Sequence, residues 1–135
     1  MKNKEREILE HLNGIVANDI LVESIYKYNR FDAESTNYIV EIKDRYKKYD
    51  NTLIEFDKYC YNLIYAQEND RHFIYAVRME GYLYVFNITN LSLSNYNFAW
   101  EWREMPCNTE FGNNEPTKKL VGYLNIQDCT KRYKI

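Results

Sequence analysis

Glycine and proline are scarce in this chain, at four and two residues of 135. Long disordered linkers are therefore not expected. Histidine and cysteine offer little metal chemistry. His11 and His72 are isolated, and Cys60, Cys107 and Cys129 lie far apart with no C-x-x-C or Cys/His spacing. That spacing disfavours a zinc site, and three free thiols suit a reducing compartment. No apolar run reaches the ~18–20 residues of a membrane-spanning helix. The first ten residues are rich in charge, unlike a secretory leader. The expected location is cytoplasmic, or the host cytoplasm if the protein is viral, with no membrane partner. Excess positive charge is also missing. The net charge of −2 means that any nucleic-acid surface must be local. Arg45, Lys47 and Lys48, or Lys131, Arg132 and Lys134, could supply one. A solvated charged face explains each of these clusters equally well.

What remains is ordinary globular composition, with 45% hydrophobic and 28% charged residues. The length suits a single domain spanning residues 1–135, large enough for one core without a metal or disulfide staple. Tyrosine is the outlier at 14 residues, most of them suited to strands and half-buried surfaces.

Residues 2–17 read as a helix. Ile8, Leu9, Leu12, Ile15 and Val16 recur at helical spacing, and Asn13-Gly14 weakens the last turn. Residues 20–32 read as one long strand or two short ones, 20–22 and 25–32. A polar turn, residues 33–37, leads into a strand over 38–45, so the pair forms a hairpin. Ile39 on one face and Val40 and Ile42 on the other suit a central strand covered on both sides. A short extended piece at 52–56 precedes a helix over 58–68. Asp57 is its expected N-cap, and Tyr59, Cys60, Leu63, Ile64 and Gln67 form its expected inner face. Strands follow at 72–80 and 82–88, joined tightly at Glu80-Gly81, and then at 98–104 and 119–126. The order predicts a mixed α/β or α+β domain built on one sheet.

One segment carries chemistry. Glu41 and Lys43 stand two apart on a strand, so both leave the same face. A turn centred on Ser35-Thr36 pairs Asp32 with Ile39. Asp32 then becomes the diagonal neighbour of Glu41 on that face, roughly 7–8 Å away. A one-residue slip would turn it to the other side. Two carboxylates so spaced can converge on a hard cation such as Mg²⁺. Burying two acids and a lysine is costly unless a cation and a phosphate offset the charge. Metal-assisted phosphodiester cleavage needs this set, with the lysine acting on water or on the transition state. A surface strand with Glu–Lys alternation and an unrelated turn aspartate is the plainer account, because E-x-K alone is common.

Phe31-Asp32, eight further residues, then Glu41-Ile42-Lys43, after one helix and before another, resembles the PD-(D/E)XK nuclease core. That superfamily includes restriction endonucleases, Holliday-junction resolvases and phage recombination nucleases. The resemblance spans roughly residues 2–90 and rests on a short motif. It implies a restriction endonuclease-like core, a central mixed sheet flanked by helices. It also implies Mg²⁺- or Mn²⁺-dependent hydrolysis of DNA, endonuclease-like in mode. Asp32 and Glu41 would be the metal ligands, Ile42 would add its backbone carbonyl, and Lys43 would be the catalytic lysine. Phe31 replaces the motif proline without removing a ligand. Members often add an acid from the first helix, here Glu5, and a polar residue from the helix after E-x-K, here Lys58. A dipole-favoured surface glutamate and a surface lysine are the simpler accounts of these two. A homodimer would address both strands. The alternative function is a DNA- or junction-binding module of the same fold that does not cut. A third is an interaction protein whose acids and lysine are ordinary surface pairs.

The remaining residues carry less. Trp100 and Trp102 alternate on a strand and share a face, as core or as a stacking platform for bases, with core the simpler role. Residues 105–114, followed by Lys118-Lys119, resemble small phage-encoded nuclease-like proteins. Asn108, Thr109 and Lys118 could touch a phosphate backbone, although a plain surface loop explains them as well.

Overall fold

The computed structural model describes residues 1–15, 19–26, 30–105 and 117–135. Helix α1 (Asn3–Ile15) opens the chain, followed by short strands β1 (Val22–Glu23) and β2 (Ala33–Glu34) and the long strand β3 (Tyr38–Arg45). Strand β4 (Asn51–Glu55) runs directly into helix α2 (Phe56–Glu68). Strands β5 (His72–Met79) and β6 (Tyr82–Asn87), helix α3 (Ile88–Leu93), and strands β7 (Glu101–Met105), β8 (Thr117–Asn125) and β9 (Lys131–Lys134) complete the order.

Among the described residues two sheets form, where the sequence pattern predicts one. The larger has six strands in the order β1-β2-β3-β5-β6-β9, and the smaller is β4-β8-β7. Strands β3 and β5 are parallel. A parallel pair needs a crossover, and β4 with α2 provides it. The other pairings are antiparallel. Glu80 and Gly81 both have positive φ, 45° and 80°, which suits the tight two-residue connection between β5 and β6.

Strand periodicity divides the core. Ile39, Phe73, Tyr75, Val77 and Met79 point into a cluster with Ile54, Ala66, Phe98 and Leu124, beneath α2 and the small sheet. Val40, Ile42 and Ala76 point the other way, onto Ile8, Leu9 and Leu12 of α1. The central strand is thus covered on both faces, as its two-sided apolar pattern predicts. Glu41 and Lys43 share parity with Ile39 and therefore belong to the α2 side. The Asn13 side chain both donates to the Leu21 carbonyl (2.9 Å) and accepts from the Leu21 N–H (2.8 Å), tying the end of α1 to the next segment. Val16 lies outside the described residues.

Several expectations change. The strand expected at 25–32 is absent from residues 30–32, which bend, and β2 lies in the expected turn. The N-cap of α2 is Glu55, without a side-chain bond, so Asp57 sits in the first turn instead. The inner face of α2 is built on Tyr59, Asn62 and Ala66, while Ile64 is exposed. Trp100 and Trp102 part company. Ala99 adopts φ +52°, which interrupts the pleat before β7 begins. Trp100 packs on Phe56, Tyr59 and Phe98 at ring separations of 5.0–5.1 Å, whereas Trp102 is 70% exposed. Asn108, Thr109 and Cys107 lie outside the described residues; Lys118 is an exposed residue of β8.

Candidate active site

The β2–β3 hairpin is fixed by a residue far away in sequence. Buried Asp19 accepts hydrogen bonds from the Ser35 hydroxyl (2.9 Å) and from the Thr36 and Asn37 N–H groups (3.0 and 3.2 Å). The Ser35 N–H closes the turn on the Tyr38 carbonyl at 2.8 Å. The register that follows pairs Glu34 with Ile39 and Ala33 with Val40. The Asp32 N–H donates to the Val40 carbonyl at 2.9 Å, one residue out of step with that register, so the regular ladder stops at Ala33. Asp32 therefore lies just outside the ladder and is not the strand partner of Ile39 that the sequence pattern predicts, yet it borders the same cleft as Glu41. The β2 register is shifted by two residues from the expected one, with Glu34 and not Asp32 opposite Ile39, and Asp32 meets Glu41 through the shared cleft.

The carboxylate of Asp32 accepts the Ile42 N–H at 2.7 Å. Glu41 is 5% exposed, and its Oε1 lies 3.2 Å from the Lys58 ammonium and 3.6 Å from that of Lys43. Lys58 reaches it from the first turn of α2. Asp32, Glu41, Ile42, Lys43 and Lys58 line one cleft of about 300 Å³ together with Glu5, Arg30 and Phe31. Every residue singled out by the motif and its two helical additions thus borders the same space. Glu5 is half-buried on the inward stripe of α1, while Glu7 and Glu10 are exposed.

The electrostatics of the cleft follow from burial. The Glu41 carboxyl is pushed up to about 7, first by loss of water and then by the Asp32 charge, against the pull of Lys58 and Lys43. Asp32 is also raised, chiefly by burial, with the Ile42 N–H opposing and the Glu5 charge adding to the rise. Two acids made reluctant to ionise side by side are a receptor for positive charge.

The donor set fits a hard cation. Among the described residues, no three carboxylate, imidazole or thiol groups gather closely enough to hold a metal alone. Mg²⁺ does not require that, since it is commonly held by one or two carboxylates and keeps several waters. Asp32 and Glu41 offer such a pair.

One residue of the site's surroundings escapes a reading by periodicity. Asn62 of α2 is fully buried, and its Nδ2 donates to the Arg30 carbonyl at 3.0 Å. It holds the segment that leads into Asp32. Its Oδ1 is buried with no hydrogen-bond partner among the described residues. Lys58 and Asn62 stand four apart, so α2 turns one polar side chain to Glu41 and the next to the segment that leads into Asp32. The basic cluster Lys131, Arg132 and Lys134 lies elsewhere, on edge strand β9, with Arg132 over the Tyr82 ring.

The architecture is the restriction endonuclease-like fold, a mixed sheet with α1 on one face and α2 on the other. The chain is similar to the structure of a Holliday junction resolvase from Archaeoglobus fulgidus, an archaeal hyperthermophile. That similarity has a TM-score of 0.57 at 12% identity and covers 97% of this chain and 88% of that one. No protein-family model matches the sequence, and no curated protein matches it. Among the described residues no helix is long and apolar enough to cross a membrane.

Proposed function

We propose that the protein is a divalent-metal-dependent endonuclease that hydrolyses phosphodiester bonds in DNA, in the cytoplasm. The observation that carries this reading is the gathering of Asp32 and Glu41 in one cleft, beside the ammonium groups of Lys43 and Lys58. The shared fold with a Holliday junction resolvase supports it.

In this reading Asp32 and Glu41 hold Mg²⁺ or Mn²⁺, with the Ile42 carbonyl as a further oxygen. The bound cation supplies a Lewis acid for the scissile phosphate and acidifies water. Lys43 orients the attacking water or donates to a non-bridging phosphate oxygen as negative charge builds there. Lys58 donates beside it. Glu5 borders the cleft from α1 and would add a third carboxylate near the cation. The new P–O bond forms from water, the ester P–O bond breaks, and the departing oxygen takes up a proton. Two copies of the chain would present two clefts to the two strands of a duplex.

The test is a supercoiled plasmid incubated with pure protein and Mg²⁺ or Mn²⁺. Nicking by the native protein and its reduction by about 100-fold in Lys43→Ala, with circular dichroism unchanged, are expected. Equal nicking by the variant would remove Lys43 from the chemistry. Binding without cleavage under every divalent ion would turn the reading to a non-cleaving DNA-binding module.

A further inference from the structure

The acid cleft does not end at Lys58. It shares Glu41, Lys43 and Lys58 with a second cleft of about 360 Å³, and that one shares Arg45 and Leu53 with a third of about 350 Å³. Together they form a trough. Strand β3 and helix α2 line one side of its middle section, and β4 and β8 of the small sheet line the other. The trough is electrically unlike the rest of a chain whose net charge is −2. Lys43, Lys58, Arg45, Lys119 and Arg103 border its second and third sections, against Glu41 and Glu55.

The manner in which these cations are held is informative. Lys119 is paired with Glu55 at 3.1 Å. Arg45 donates to the Tyr75 hydroxyl at 3.3 Å and Arg103 to the Tyr123 hydroxyl at 3.4 Å. Neither arginine has a carboxylate partner within ion-pair distance among the described residues. Phenol hydroxyls orient a guanidinium without cancelling its charge. Arg45 therefore keeps a positive charge that is positioned and not neutralised, and Arg103 has the Tyr123 hydroxyl between it and the Glu101 carboxylate. Tyr49, 60% exposed, borders the far section and offers a ring to a base.

We infer that this trough is a track for one nucleic-acid strand, running from the acid pair past Lys119 and Arg45 to Arg103 and Tyr49. A groove that follows the backbone with cations and presents an aromatic ring for stacking is the chemistry of single-strand binding. The inference rests on the nuclease reading for its polarity. It adds that the substrate carries a single-stranded segment beside the bond that is cut.

The experiment measures binding alone. A fluorescein-labelled oligo(dT) 20-mer and a labelled blunt duplex of equal length are titrated with the full chain in EDTA, over a range of salt. The native protein is expected to prefer the single strand. The slope of log affinity against log salt should fall by about 1.4 in the double variant Arg45→Ala/Arg103→Ala, at ~0.7 for each single-strand phosphate left without its cation. Arg45→Lys/Arg103→Lys, which keeps both charges, should restore it. An unchanged slope in the alanine variant, or equal weakening for duplex and single strand, would overturn the track. Because no metal is present, a protein that cuts no plasmid can still pass this test, and one that cuts can fail it.

Discussion

Lys58 lies closer to Glu41 than Lys43 does: its ammonium is 3.2 Å from Glu41 Oε1, against 3.6 Å for the motif lysine. The helix following the motif thus contributes as directly to the acid's electrostatics as the strand itself. Both cations pull against the burial that pushes Glu41 up to about 7. Removing Lys58 should therefore raise Glu41 further. In Lys58→Ala the pH above which metal-dependent activity appears should move upward, with activity at neutral pH reduced roughly 10- to 100-fold, on the scale of one missing electrostatic stabiliser or acid–base group. Lys58→Arg should recover much of the pH profile by retaining the charge. A pH–rate profile unaltered in the alanine variant would show that Lys58 does not act on Glu41.

The buried acid should also weaken the fold. Its folded value of about 7 lies above its ordinary 4.5, so between those two the native state holds a proton that the unfolded chain has released. The penalty is absent below about pH 4.5, grows as pH rises to about 7, and is complete above it. Glu41→Gln lacks the charge and should be more stable than the native protein at pH 8, by on the order of 3 kcal/mol if the whole shift is realised. The difference should shrink towards zero near pH 4.5. Urea unfolding at both pH values reads this directly, and a Gln variant less stable at pH 8 would contradict it.

Much of the site is legible in the sequence because it is local. The two-sided apolar pattern delimits the strand at 38–45, and Glu41 and Lys43 necessarily share a face within it. The hairpin partner falls two residues from its expected place because the turn is set by Asp19, which no local pattern marks. The small sheet is hidden for the same kind of reason: β4 finds its partner β8 across a long stretch of chain. For α2 the difficulty is chemical. A helix that faces a charged cleft turns Lys58 and Asn62 inward, and a search for an apolar stripe keeps Tyr59 but rotates the face to include the exposed Ile64 and Gln67.

Asn62 offers a test of how Asp32 is positioned. Its amide is the side-chain anchor of the Arg30 carbonyl, two residues before Asp32. Asn62→Ala removes that bond and leaves a buried carbonyl and a small void. Destabilisation of about 2 kcal/mol is expected from a missing buried hydrogen bond and a cavity. Because the Arg30–Asp32 segment loosens, the Mg²⁺ concentration needed for half-maximal activity should rise more than the maximal rate falls. Reduced stability with an unchanged metal requirement would leave Asn62 as a packing residue.

Gly122 is a packing test independent of the chemistry. A β-carbon there would come within 2.8 Å of the Trp100 ring and 3.0 Å of the Phe98 side chain. Trp100 is wedged against Phe56 and Tyr59, so it has little room to retreat. Gly122→Ala should cost about 1–3 kcal/mol through overpacking. Replacing Trp100 by leucine in the same chain should recover part of that stability. A lower melting temperature that the second substitution does not improve at all would place the clash elsewhere.

Metal binding can be read without any nucleic acid. A ligand that binds the native state alone stabilises it in proportion to the logarithm of its concentration over Kd. If Asp32 and Glu41 are the ligands, ~10 mM Mg²⁺ should raise the melting temperature of the native protein, and a Kd near ~1 mM would correspond to about 1.4 kcal/mol. The gain should be larger at pH 8 than at pH 6, because below about 7 Glu41 holds a proton that the cation must displace. Asp32→Asn and Glu41→Gln should each abolish most of the gain, while Lys43→Ala, which removes a positive charge beside the acids, should preserve or enlarge it. An equal rise in all four proteins would assign the effect to nonspecific ions at the surface and leave the two carboxylates without a metal to hold.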